Sequence, residues 1–231
     1  MNRFGDKDTH VYHADISGEG PLDLESCWRV LSGAEKARAE RFHFDLHRHR
    51  YVRAHGQMRH ILAAYLDLPA DAIPIKTETQ GKPFIAFAEL YFNMSHSKDV
   101  AVFAVSNRGH VGIDVELFDR KVEIDDLSRH YYTSSEQELL ANLAGVERSQ
   151  MFFWLWTAKE ARMKVTGEGL ALDPRHIDVV VEEGWPAAYR LPVEPKASLV
   201  PVILENLGGA CTVAGLFKPN LLVKRLDDLN S

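Results

Sequence analysis

The chain has 231 residues, 45% hydrophobic and 26% charged, enough for one large or two small domains. A fold of this length buries roughly 70% of its unfolded surface, so a core needs neither disulfides nor structural metals, and the composition excludes a disordered protein. A formal net charge of −6 argues against a general nucleic-acid binder. No apolar run approaches the ~20 residues of a membrane span, and residues 1–16 lack the apolar centre of a signal peptide. Cys27 and Cys211, far apart in apolar surroundings, read as buried thiols of a cytoplasmic protein.

Alternation predicts a strand over 11–16. Ser32, with Glu35 three residues on, is a capping box that opens a helix over 34–42. A longer helix is expected over 47–66, with Val52, Met58, Ile61, Leu62 and Tyr65 on its apolar face and Pro69 beyond its end. Gln80-Gly81-Lys82-Pro83 is a turn signal, followed by short strands over 84–87 and 91–94. The β-branched run 100–105 fits a buried strand, and Asn107-Arg108-Gly109 turns the chain into another over 111–116. Helices over 124–130, 134–143 and 149–165 come next. Strands over 177–181, 188–191, 199–204 and 211–217 close the chain, with Pro186, Pro192, Pro195 and Pro201 marking loops and edges. Each half reads as helices followed by strands, an α+β pattern that divides near Arg108.

Three segments carry chemistry. In Val111-Gly112-Ile113-Asp114-Val115-Glu116, alternation places Gly112, Asp114 and Glu116 on one strand face. Two carboxylates about 7 Å apart along a strand need solvent or a cation between them, and a hard divalent ion takes such oxygen ligands. Gly112 is expected to leave room there for a bulky ligand. In the helix ending Trp156-Thr157-Ala158-Lys159-Glu160-Ala161-Arg162-Met163-Lys164, Glu160 lies beside the aromatic face, which is costly unless a cation satisfies it. Lys164, one turn on, could pair with it. Phe92-Asn93-Met94-Ser95-His96-Ser97 ends an apolar run in polar residues. Between Ala34 and His60, seven Lys and Arg stand against three acids, a local cationic surface in an acidic chain. His43 and His47 have zinc-compatible spacing, but no third ligand is placed to complete a zinc site.

Taken in order, Gly81-Lys82-Pro83, the 92–97 segment, Gly112 to Glu116, and Trp156 to Lys164 with the trailing Gly167-Glu168-Gly169-Leu170 resemble the Sfp-type 4′-phosphopantetheinyl transferase family. The likeness extends over about residues 32–172. It implies an α+β fold of two similar halves in a pseudo-twofold monomer, with the active site between them. Residues 1–108 would supply the coenzyme A nucleotide contacts, and residues 109–231 the metal and catalytic acids.

The resemblance further implies transfer of 4′-phosphopantetheine from coenzyme A to a serine of an apo acyl or peptidyl carrier protein, an acidic partner. Asp114, Glu116 and Glu160 would hold Mg²⁺, or Mn²⁺, against the diphosphate. Glu160 and Lys164 would be catalytic. Arg38, Arg41, Arg50, Lys82, Ser95, His96, Lys159 and Lys164 would bind the coenzyme, and Glu136 matches a further family acid. A nucleic-acid or membrane partner is not expected. Two alternatives are a metal-dependent phosphodiesterase or nuclease and an inactive coenzyme A- or carrier-binding module. The first often wants a lysine just after the second acid, where this chain has Leu117-Phe118; retention of all three acids with Lys164 speaks against the second.

Overall fold

The computed structural model describes residues 4–190, 194–204 and 207–229. The chain opens with β1 (Thr9–Asp15), followed by α1 (Leu24–Val30), a helix the sequence reading missed although Asp23 caps it by accepting from the Ser26 N–H. The capping box forms as expected and opens α2 (Gly33–Ala39). This helix stops short of residue 42 because the N–H groups of Arg41 and Phe42 close three-residue turns onto Arg38 and Ala39. Next comes α3 (Asp45–Leu66), then the short hairpin of β2 (Ile75–Thr77) and β3 (Pro83–Ile85). A longer hairpin joins β4 (Tyr91–Ser97) to β5 (Val100–Ser106), and β6 (Val111–Leu117) follows.

In the second half α4 (Ile124–Tyr131), α5 (Ser134–Ala141) and α6 (Gly145–Thr166) precede a hairpin of β7 (Asp178–Glu182) and β8 (Trp185–Arg190). The chain ends with β9 (Ser198–Pro201), β10 (Gly209–Gly215) and β11 (Leu221–Arg225). Pro186 lies within β8, opposite Val181 where the register shifts, a place that tolerates a missing N–H. Residue 191 of the expected strand 188–191, and Pro192, lie outside the described residues.

The architecture is α+β. One sheet has the order β11-β1-β5-β4, and a second has β6-β10-β9. The last strand crosses back to pair in parallel with β1, Val11 opposite Val223, so the first sheet takes strands from both ends of the chain. On one face of this sheet α3 buries Met58, Ile61 and Leu62 against Phe103 and Val105. Val11, Val102 and Ala104 meet Ile113, Val115 and Val213 in a core shared by the two sheets. The aromatic stretch of α6 packs Phe152 and Phe153 with Tyr132 and Leu140. Among the described residues no helix is long and apolar enough to cross a membrane.

Two features join the sheets where the site lies. Gly112 admits α6 rather than a ligand: a Cβ there would stand 2.1 Å from the Ala161 carbonyl oxygen and 2.9 Å from Lys164 Cβ. The expected opening is filled by the helix that carries Glu160 and Lys164. Along the other seam, β4 and β6 are bridged by side chains. Asn93, Ser95 and Ser97 share one face of β4, and they bond respectively to the Ile113 N–H, the Asp114 carboxylate and the Glu116 carboxylate.

Candidate active site

Asp114 is the centre of this seam. Its side chain is 5% exposed at residue level, and Oδ1 accepts hydrogen bonds from Ser95 Oγ and Lys164 Nζ, each at 2.7 Å. Its other oxygen, Oδ2, is buried with no hydrogen-bond partner among the described residues. An orphaned carboxylate oxygen in the interior is costly, and it marks a place where a cation or donor belongs. Two residues along the strand, Glu116 accepts from Ser97 Oγ at 2.9 Å and from Arg120 at 3.3 Å. Burial raises its carboxyl pKa, and the charge of Asp114 adds to the rise.

Glu160 completes the acidic group from α6. The pairing with Lys164 that helical spacing allowed does not form; Lys164 reaches across to Asp114, Ser95 Oγ and the Ile113 carbonyl. Among the described residues Glu160 makes no hydrogen bond or ion pair. Its pKa is raised by burial first and by Asp114 second, with Glu116 adding to the rise. Glu116 and Glu160 thus both sense the charge of Asp114, and both sense the nearby Lys164. Among the described residues no group of three or more His, Cys, Asp or Glu side chains is arranged to hold a metal ion. An all-oxygen donor set with an orphaned Oδ2 and an unpaired Glu160 nevertheless fits a hard divalent cation, which leaves coordination positions to water or phosphate.

Two cavities flank the acids. The larger, about 620 Å³, runs from Ser95, His96 and Lys164 to Glu35, Arg38 and His55 on α2 and α3. The smaller, about 200 Å³, is an aromatic slot with Tyr131, Phe152, Phe153 and Trp156 on its walls and Glu116 and Glu160 at its edge. The larger cavity therefore gathers Arg38, His55, His96 and Lys164 among apolar side chains, while the smaller is lined mainly by aromatic and aliphatic ones.

The expected coenzyme-binding residues divide. Ser95, His96, Lys164 and Arg38 line the larger cavity. Burial lowers the His96 pKa, helped by the nearby charge of His55. Arg41 stands exposed outside the cavity wall, and Arg50 does not line the cavity either, its guanidinium held by Asp99 at 2.8–2.9 Å. Lys82 lies outside the lining of the larger cavity. Its ammonium is buried against the carbonyls of Val111, Lys164 and Val165, where burial lowers its pKa to about 8. Lys159 does not face the cavity either; it is fully buried, bonded to the Pro174 and Ile177 carbonyls and paired with Glu136.

Sequence reasoning missed several residues here. Asn93, Ser95 and Ser97 carried a period-two signal that could have identified the β4 face, although only Ser95 was singled out. His55, Tyr51 and Arg59 were hidden among the many basic and aromatic residues of α3.

The chain is similar to proteins already known. Residues 110–201 match the 4′-phosphopantetheinyl transferase superfamily model, and residues 21–108 match the model of the 4′-phosphopantetheinyl transferase N-terminal region. The 4′-phosphopantetheinyl transferase HetI of Nostoc sp. is 35% identical over 205 residues, covering 84% of this chain and 85% of that protein. The 4′-phosphopantetheinyl transferase psf-1 of Bacillus pumilus is 34% identical over 171 residues, covering 73% and 72%. Sfp of Bacillus subtilis is 26% identical over 176 residues, covering 74% and 77%. A crystal structure of a holo-(acyl-carrier-protein) synthase from Bacillus anthracis, in complex with CoA (3′,5′-ADP), aligns with a TM-score of 0.38 at 21% identity, over 46% of this chain and 90% of that one. The chain is an enzyme of the transferase class. It belongs to the 4′-phosphopantetheinyl transferase family.

Proposed function

We propose that this transferase moves the 4′-phosphopantetheine group of coenzyme A onto a serine hydroxyl of an apo acyl or peptidyl carrier protein, with the nucleotide in the larger cavity. The observation that carries this is the group of Asp114, Glu116 and Glu160 with Lys164, where Lys164 lines the larger cavity and Glu116 and Glu160 line the aromatic slot. Residues 1–108 contribute Arg38, Ser95 and His96 to the nucleotide side, and residues 109–231 contribute the acids and Lys164.

In this mechanism the serine oxygen forms a bond to the phosphorus that carries pantetheine, and the bridging bond to the other phosphate breaks. Adenosine 3′,5′-bisphosphate leaves. Glu160, whose pKa is raised by burial and neighbouring charge, accepts the serine proton. The Lys164 ammonium stabilises charge on the departing phosphate. Ser95 and Ser97 hold Asp114 and Glu116 in place. Mg²⁺ or Mn²⁺, held by Asp114, Glu116 and Glu160, would neutralise the diphosphate and polarise the phosphorus under attack. The active form in this proposal is a cytoplasmic monomer.

Incubation with coenzyme A, MgCl₂ and a panel of apo carriers, read by intact mass, tests the proposal. A true acceptor gains roughly 340 Da, the mass of one phosphopantetheinyl group on its serine nucleophile. No gain on any carrier, with a control transferase active on the same panel, would overturn it.

A further inference from the structure

Both carboxylate oxygens of Glu116 are engaged, by contacts of different kinds. Oε2 accepts from Ser97 Oγ at 2.9 Å, and Oε1 accepts from the Arg120 guanidinium at 3.3 Å. Ser97 belongs to the β4–β6 seam, and its oxygen also accepts from the Leu117 N–H, so it fixes the strand together with the carboxylate. Arg120 comes from the segment after β6. Its side chain is 60% exposed and that of Glu116 16%. An ion pair so open to solvent holds its partner weakly, and salt screens it.

The neighbouring residue keeps Arg120 within reach. Asp119 pairs with Lys98 in the β4–β5 turn, which ties the segment after β6 to the end of β4. Arg120 shares the lining of the aromatic slot with Glu116 and Glu160. Asp114 has a firmer counter-charge in Lys164, whose ammonium donates to Asp114 Oδ1, Ser95 Oγ and the Ile113 carbonyl. Two of the three acids therefore carry counter-charges of unequal hold. One is a part-buried lysine with three bonds, the other an exposed arginine with one.

We propose that Arg120 is a displaceable counter-ion of Glu116, competing with the divalent cation for its Oε1 and giving way when the cation binds. This rests on the reading above that Asp114, Glu116 and Glu160 hold the cation. Among the described residues Asp114 Oδ2 and Glu160 have no partner to exchange, so the exchange falls on Glu116. Ser97 is the harder of its two partners to remove, because it also holds a strand N–H. Arg120 keeps the Glu116 carboxylate compensated and in place before the cation arrives, and it weakens cation binding by doing so.

The test is Mn²⁺ binding to the nucleotide-free chain at low salt, read from the electron paramagnetic resonance of free Mn²⁺. Arg120→Gln binds Mn²⁺ about three- to fivefold more tightly than wild type, the strength of an exposed ion pair. Lys121→Gln removes the same charge from the next, exposed position and changes the affinity less than about 1.5-fold. The gain in Arg120→Gln shrinks at about 0.5 M salt, where the pair is screened. Binding by Arg120→Gln that equals or falls below that of wild type, or equal tightening in Lys121→Gln, would overturn the assignment. Asp114→Asn separates this from the underlying reading. Loss of Mn²⁺ in that variant, with Arg120→Gln unchanged, removes Arg120 alone. Undiminished binding by Asp114→Asn, or no binding by any of the chains, removes the cation site as well.

Discussion

Lys159 and Glu136 form an ion pair of 2.8 Å inside the second half of the chain, with side chains 0% and 1% exposed. Glu136 Oε1 also accepts from the Val179 N–H, its other oxygen accepts from the Thr133 N–H, and Lys159 donates to the Pro174 and Ile177 carbonyls. The pair therefore ties α5, β7 and the segment between α6 and β7 to α6, one residue before Glu160. It fixes the helix that presents Glu160 to the cleft.

Removing one partner leaves a buried charge unpaired. Lys159→Met and Glu136→Gln should each cost about 3–5 kcal/mol of stability, measured by denaturant unfolding. The double variant Lys159→Met/Glu136→Leu should lose less than the sum of the single losses. Singles that each cost under 1 kcal/mol would show that the pair does not hold α6.

Glu160 should display opposed effects on activity and stability. Its carboxylate is half-buried beside two other acids and, among the described residues, has no partner of its own. Glu160→Gln should reduce transfer by more than a hundredfold. The same variant should raise the melting temperature of the metal-free protein by roughly 2–4 °C, because about 1 kcal/mol of unfavourable buried charge is removed. Adding Mg²⁺ should stabilise the wild type and have less effect on the variant. Loss of activity together with a lower melting temperature would mean that Glu160 holds the fold instead.

Much of this site was legible because local periodicity determined it. The two-residue repeat of Val111 to Glu116 placed Asp114 and Glu116 together, and the capping box at Ser32 and Glu35 formed as read. What was not legible depended on partners distant in sequence. Nothing local indicates that Arg50 meets Asp99, that β11 returns to β1, or that α6 lies against Gly112. Lysines are hard to read for a further reason: their long apolar stems let Lys82 and Lys159 run inward.

Acid should weaken the α2–α3 wall. The Glu35 pKa falls from an ordinary 4.5 to about 2 in the folded chain, so its ionised form stabilises the fold above pH 4.5. This contribution, on the order of 3 kcal/mol, is lost as pH drops through the folded value near 2. Glu35→Gln should therefore be less stable than wild type at pH 6, and the gap should close towards pH 2. Chemical unfolding of both proteins across that range measures it. A gap that stays constant with pH would assign the loss to the capping box alone.

Lys82 gives the last prediction, because its two possible roles differ in what they protect. A lysine binding ligand phosphates would affect coenzyme affinity and leave the metal-free fold nearly unchanged. Here the ammonium donates to the carbonyls of Lys164 and Val165 at the end of α6 and to the Val111 carbonyl at the start of β6. It also sits against Gly167, whose added Cβ would lie 2.9 Å from Lys82 Cβ. Lys82→Met leaves those buried carbonyls without their donor, a loss of roughly 2–3 kcal/mol, or several degrees of melting temperature. The coenzyme A KM, measured well below the variant's melting temperature, should change less than threefold. A tenfold rise in KM with an unchanged melting temperature would return Lys82 to the phosphates and show that its ammonium turns outward when the nucleotide binds.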